Sequence, residues 1–110
     1  MNRWKIEFIN EKAEEEILRL TPSLKAKFLH ISDLIIKFGV ENVGMPHLRP
    51  LENKLWEIRL KSKDGIARSI YVLATGKRLI ILHTFIKKTQ KTPRDALNTA
   101  LKRLKEIQND

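Results

Sequence analysis

Leu55-Trp56-Glu57-Ile58-Arg59-Leu60-Lys61-Ser62-Lys63-Asp64-Gly65-Ile66-Ala67-Arg68-Ser69-Ile70-Tyr71-Val72-Leu73-Ala74-Thr75-Gly76-Lys77-Arg78-Leu79-Ile80-Ile81-Leu82-His83-Thr84-Phe85-Ile86-Lys87 reads as three β-strands in quick succession. β-Branched and aromatic residues fill three runs, over 55–61, 66–75 and 79–87, as a pleated surface favours. Two short breaks separate them. Asp64-Gly65 is a strong tight-turn signal, and Gly76-Lys77 suits a turn that needs glycine first.

Treating both breaks as two-residue loops fixes a register. Lys61 then lies opposite Arg68, and Arg59 opposite Ile70. Across the second turn Arg68 meets Phe85, Ile70 meets His83, and Ile66 meets Lys87. Opposite residues share a face and successive residues alternate. One face therefore collects Arg59, Lys61, Arg68, His83, Phe85 and Lys87 around Ile70, Val72, Leu79 and Ile81. The other collects Trp56, Ile58, Leu60, Tyr71, Leu73, Ile80, Leu82 and Ile86, an apolar surface suited to helix packing. A slip of one residue at a turn would carry a whole strand to the other face.

Upstream, Trp4, Ile6 and Phe8 alternate with Lys5 and Glu7, the period of a strand. Asn10 caps a helix running to about residue 20, with Glu11, Glu14 and Glu15 near its positive end. Thr21-Pro22 opens a second helix, whose face is Leu24, Phe28, Ile31, Ile35 and Phe38, and Gly39 ends it. The pair predicts an antiparallel helical hairpin. Residues 40–53 read as an irregular connection broken by Gly44, Pro46 and Pro50. Thr92-Pro93 starts a last helix with Ala96, Leu97, Ala100, Leu101, Leu104 and Ile107 as its stripe. The expected fold is α+β, in the order β-α-α-β-β-β-α. A small antiparallel-rich twisted sheet would carry the hairpin on one face and the C-terminal helix beside it. One domain over 1–110 is expected from the length.

Of the 110 residues, 42% are hydrophobic, enough for one core, and cysteine is absent. Disulfides, thiolate nucleophiles and Cys-based zinc sites are thereby excluded. The longest aliphatic run, Leu79-Ile80-Ile81-Leu82, falls far short of the roughly 20 residues of a membrane span. No apolar segment follows Met1-Asn2-Arg3-Trp4-Lys5, so a soluble cytoplasmic protein without a signal peptide is expected. The net charge is +9, and residues 47–110 carry all of the excess, with fifteen basic and six acidic side chains. Cations that crowd one patch without acids repel each other until an anion joins them. Phosphate is the obvious anion, and arginine can clamp it through two donors. A second reading pairs Arg59 and Arg68 with Glu57 or Asp64 in ordinary ion pairs. Phe85 fits either a base-stacking aromatic or a core residue at the sheet edge. The three histidines lack metal-site spacing, and His83, inside an apolar strand, reads first as a satisfied core histidine. Neither a phosphate-cradling glycine loop nor a Gly-x-Ser-x-Gly elbow is present.

The element order, Leu55-Trp56-Glu57-Ile58-Arg59, and Asp64-Gly65-Ile66-Ala67-Arg68-Ser69-Ile70-Tyr71 together resemble the RelE/ParE toxin superfamily. His83-Thr84-Phe85-Ile86-Lys87-Lys88-Thr89-Gln90-Lys91-Thr92-Pro93 resembles its HigB-type, phage-related branch. The resemblance implies the toxin of a type II toxin–antitoxin system, a ribosome-dependent mRNA endoribonuclease that needs no metal or other cofactor. It implies catalytic roles for Arg59 and Arg68, for Lys87 or Lys88 at the end of the last strand, and for His83. Lys61, Phe85, Lys91 and His47 are the implied RNA contacts, with His47 a second candidate for proton transfer. Relatives place a Tyr or His near the C-terminus as base. This chain has neither after His83, so either a lysine of lowered pKa takes that part or the ribosome supplies more of the arrangement. The implied partners are a helix-turn-helix antitoxin, the ribosome and its mRNA, and operator DNA through the antitoxin complex, with no membrane. Two other readings compete: a ParE-type inhibitor of DNA gyrase, and a nucleic-acid-binding module without catalysis.

Overall fold

A computed structural model describes residues 3–88 and 91–108; Thr89 and Gln90 of the sequence motif, and the Ile107 side chain, lie outside the described residues. The elements are β1 (Lys5–Phe8), α1 (Glu11–Leu18), α2 (Pro22–Phe38), α3 (Val40–Val43), β2 (Leu48–Pro50), β3 (Trp56–Ser62), β4 (Gly65–Ala74), β5 (Arg78–Ile86) and α4 (Arg94–Gln108). The sheet order is β1-β5-β4-β3-β2. β1 runs parallel to β5 and the other pairs are antiparallel, which makes the sheet mixed. Among the described residues, no helix is long and apolar enough to cross a membrane.

The helix ends follow from local chemistry. The Asn10 side chain accepts the Ala13 N–H at 2.9 Å and opens α1. Thr21 caps α2, and Pro22 supplies a first-turn residue that has no N–H to lose. Gly39, at φ 87°, ends α2 by donating its N–H to the Ile35 carbonyl at 2.8 Å.

The expected helical hairpin is looser than the sequence reading had it. α1 packs on β5 and β1, while α2 crosses β3, β4 and β1. The connection over 40–53 is more ordered than expected. It holds the short α3 and an edge strand, β2, anchored by the fully buried Leu48. Pro50 is tolerated there because an edge strand has an unpaired side.

The first hairpin register differs from expectation along its whole length; the second keeps the expected Arg68–Phe85 and Ile70–His83 pairs and departs only nearer its turn. The first loop is Lys63-Asp64, closed by Ser62 opposite Gly65, so Arg59 faces Arg68 and Lys61 faces Ile66. The Ser62 hydroxyl accepts the Asp64 N–H at 3.1 Å, and Ser23 on α2 donates to Asp64 Oδ2 at 2.6 Å. These bonds hold the turn around Asp64. A shift of two residues preserves every face. The second loop has three residues, Thr75-Gly76-Lys77, with φ 81° at Gly76 and 56° at Lys77. A bulge then skips Leu82, because Ile70 pairs with His83 while Tyr71 pairs with Ile81. Along the first half of β5 the faces are therefore the reverse of those expected. Leu79 and Ile81 join the core under α1 and α2, and Ile80 and Leu82 face α4. Residues 79–82 are apolar on both sides, so no alternation in the sequence marks the bulge.

Two cores sandwich the sheet. The first packs Ile58, Leu60, Ala67 and Tyr71 under Leu24, Phe28, Ile31 and Ile35 of α2. The second packs Leu55, Ile70, Val72 and Leu82 under Ala96, Leu97 and Ala100 of α4. Burial of these apolar side chains, more of them in the first layer than in the second, supplies the main driving force.

Candidate nucleic-acid interface

On the α4 side of the sheet, side chains line up in rows across the strands. Glu57, Arg59 and Lys61 alternate along β3 and share this face. Arg49 of β2 lies opposite Glu57, Glu57 opposite Ile70, and Ile70 opposite His83. In the next row Arg59 lies opposite Arg68, and Arg68 opposite Phe85. Backbone bonds lock the margins. Arg59 N–H donates to the His47 carbonyl at 2.7 Å, and Lys87 N–H to the Ile66 carbonyl at 2.7 Å.

One carboxylate lies among these cations. Glu57 is 1% exposed. Its Oε1 accepts the Thr92 hydroxyl at 2.7 Å, and its Oε2 is 3.4 Å from Arg68 Nε, an ion pair without hydrogen-bond geometry. Arg68 Nη1 donates to the Ala67 carbonyl at 3.1 Å. Burial pulls the Arg68 guanidinium below its usual value; Glu57 opposes this, and Arg59 and Arg49 add to it. Lys87 is also buried. Burial first, and then Arg68, hold its ammonium below the ordinary lysine value, with Glu57 opposing and Arg59 and Arg49 adding. Among the described residues no carboxylate comes within ion-pair distance of Lys87, Arg59, Arg49 or Lys61. Arg49, Arg59, Arg68 and Lys87 thus surround Glu57, while Glu52, the other carboxylate among the described residues lining the groove at this patch, is paired with Arg94. The surplus disfavours the empty site and favours a bound anion.

The patch opens into a groove with two lobes that meet at Arg59. One lobe, of about 550 Å³, is lined by Arg49, Glu52, Glu57, Arg59, Lys91 and Thr92 among others. The other, of about 410 Å³, is lined by Lys27, Pro46, His47, Arg59, Lys61, Ile66 and Arg68. A cis Met45–Pro46 peptide leads the chain to His47 on this wall. The arrangement can hold a phosphate diester through guanidinium donors and can exchange a proton through Lys87.

Of the residues expected from the sequence, the groove brings together Arg59, Arg68, Lys61, His47 and Lys91, with the buried Lys87 beside them. Phe85 packs against the second core and stacks on His83, with ring centroids 5.5 Å apart. Lys88 is exposed. His83 belongs to another cluster: its Nδ1 lies 3.0 Å from Glu16 Oε1, and Arg103 also binds Glu16. Sequence reasoning overlooked Arg49 and Lys27, and treated Glu57 only as an ion-pair partner. The spacing 57, 59, 61 was the available signal for Glu57, since it puts the carboxylate on the cationic face. Among the described residues, no group of three His, Asp or Glu side chains comes together to hold a metal ion.

The chain is similar in structure to a chain of the archaeal RelE–RelB complex from Pyrococcus horikoshii OT3. The TM-score is 0.55 at 20% identity, covering 78% of this chain and 96% of that one. At that identity the likeness is one of fold: an α+β arrangement of a five-stranded mixed sheet and four helices. No curated protein matches the chain. The family model for phage derived protein Gp49-like matches residues 15–105, a span that holds every groove residue named above, and the chain belongs to that Gp49-like family.

Proposed function

We propose that the protein is the toxin of a type II toxin–antitoxin pair, of the HigB type, and that it cuts mRNA in the translating ribosome. The observation that carries this is the surplus of cations about Glu57, with Arg68 and Lys87 both more than nine-tenths buried. Buried cations that lack enough counter-charge are costly unless an anion completes the site. An RNA phosphate does so, and the two lobes on either side of Arg59 leave room for its neighbours along the strand.

In the proposed reaction the ribose 2′-oxygen forms a bond to phosphorus as the bond to the 5′-oxygen breaks. The products are a 2′,3′-cyclic phosphate and a 5′-OH. Arg59 and Arg68 meet the charge that builds on the non-bridging oxygens. Lys87, more easily neutral than an exposed lysine, takes the 2′-OH proton. His47, on the facing wall, gives a proton to the leaving oxygen. Lys61 and Lys91 hold the flanking backbone, and Phe85, opposite Arg68, meets a base. In this mechanism His83, held at Nδ1 by Glu16 and lining neither lobe of the groove, is given no proton to move. The partner is a small helix-turn-helix antitoxin with an acidic surface for the groove; operator DNA contacts fall to the antitoxin. Such a toxin works in the cytoplasm.

Primer extension on a defined mRNA, translated in a reconstituted system and also incubated without ribosomes, tests this. The expected result is cleavage only during translation, with a 2′,3′-cyclic phosphate end. No cleavage by folded protein in either condition overturns it. Persistent DNA damage without RNA cleavage would then indicate a gyrase inhibitor. RNA binding that falls steeply with salt and yields no product would indicate a binding module.

A further inference from the structure

Glu57 is the largest puzzle in the groove. A carboxylate with 1% exposure gives up its hydration, and its one short bond among the described residues is the Thr92 hydroxyl at 2.7 Å. The cations around it offset that cost. It also joins two parts of the site that the chain keeps apart. Arg68 belongs to the central strand β4. Thr92 belongs to the segment between β5 and α4 that also carries Lys91. Lys87 N–H ties the start of that segment to the Ile66 carbonyl of β4, and the Thr92–Glu57 bond ties its far end to β3.

We propose that Glu57 is a positioning residue. Its buried carboxylate fixes the Arg68 guanidinium on one side and the Thr92 hydroxyl on the other, so that strand and loop present one preset cationic surface to RNA phosphate. This rests on the ribonuclease reading. With Nη1 on the Ala67 carbonyl and Nε 3.4 Å from Glu57, the guanidinium keeps its Nη2 donors for a phosphate, as a clamp on a pentavalent phosphorus requires. A neutral side chain at residue 57 would leave Arg68, Arg59, Arg49 and Lys87 without their shared counter-charge. Arg68 would then turn away from Arg59, and Lys87 would lose its proton at lower pH.

The test compares wild type with Glu57→Gln, and with Thr92→Val in case the first variant folds poorly. The ¹⁵N resonance of Arg68 Nε–H, read on the free protein, comes first. It should be sharp in wild type and averaged in Glu57→Gln. Cleavage during translation comes second. Glu57→Gln should lower kcat by about 100-fold with KM little changed, and the Lys87-dependent limb of its pH profile should move to lower pH. Thr92→Val should lower kcat without moving that limb, since the charge remains. If the Arg68 resonance is the same in both proteins, the inference is overturned whatever the activity. If wild type cleaves and Glu57→Gln cleaves equally well, it is again overturned, while the ribonuclease reading stands. If wild type itself cleaves nothing, the ribonuclease reading falls, and Glu57 is then an anchor for Arg68 alone.

Discussion

Two glutamates anchor two cationic clusters on this sheet, and they are built differently. Glu16 is saturated. Arg103 donates to it through both Nη1 and Nη2, at 2.9 and 3.0 Å, and the Thr84 N–H donates at 3.0 Å. His83 Nδ1 adds a contact at 3.0 Å. Each partner also does something for the fold. β1 ends at Phe8, opposite Ile81, so the far half of β5 has an open edge, and Glu16 takes its Thr84 N–H. The Leu82 bulge frees a carbonyl, and Arg103 Nη1 takes it at 2.9 Å. Glu57 is unsaturated. It has one hydroxyl at 2.7 Å and one guanidinium at 3.4 Å, with Arg59, Arg49 and Lys87 around it. Residue type therefore does not separate a structural ion cluster from a binding site. The balance of donors and charge does: the first cluster has nothing left to offer a ligand, and the second has cations to spare.

Arg59→Ala presses hardest on this difference. It should lower kcat/KM for mRNA cleavage on the order of 100- to 1,000-fold, the usual cost of one donor to a developing oxyanion. The urea midpoint should hardly move, because one fewer cation eases the strain on Arg68 and Lys87. A large loss of stability would mean that the groove cluster is structural after all. Glu16→Gln should do the reverse. It weakens Arg103 and His83 together and should cost about 2 to 3 kcal/mol in urea unfolding, with cleavage per folded molecule unchanged. The pH dependence follows. Desolvation alone would raise the Glu16 carboxyl, but the bonds from His83, Arg103 and Thr84 outweigh it and hold it at about 2. The unfolded chain, titrating in the ordinary carboxylate range, then binds more protons than the folded one through the interval between. Glu16 thus stabilises fully above about pH 5 and loses this contribution as pH falls toward 2. Acid unfolding of Glu16→Gln should show a shallower slope in that window.

The legible parts of the sequence were those where polarity changes at every step. Asn10, Thr21 and Gly39 marked the helix ends because caps need those side chains or that backbone. Arg59, Lys61 and Arg68 landed on one face, although the turn was placed one residue too late and the pairing therefore two residues off, because charge alternates with Ile58, Leu60 and Ala67. The Leu79-Ile80-Ile81-Leu82 run carried no such marker, and there the bulge escaped notice. β2 escaped too: Leu48-Arg49-Pro50 is too short to show a period and ends in proline. Arg49 was lost with it. The Glu16 cluster was out of reach for another reason. Its partners lie 67 and 87 residues away, and pairings at that distance follow only from the assembled fold.

The smallest predicted effect is the cleanest discriminator, because it requires no ribosome. A site with surplus cations should be stabilised by a simple anion, and a saturated one should not. Inorganic phosphate at ten times its dissociation constant adds about 1.4 kcal/mol to a protein with one site, a shift of several degrees in Tm for a chain of this size. Wild type should gain that increment against chloride at equal ionic strength. Glu16→Gln should gain the same increment from its lower baseline, since its groove is intact. Arg59→Ala should gain little, because Arg59 lines both lobes. If Glu16→Gln loses the increment while Arg59→Ala keeps it, the anion binds at the Arg103 cluster, and the contrast between saturated and unsaturated carboxylates fails. If all three gain equally, phosphate acts through the net charge of +9 and not through either cluster.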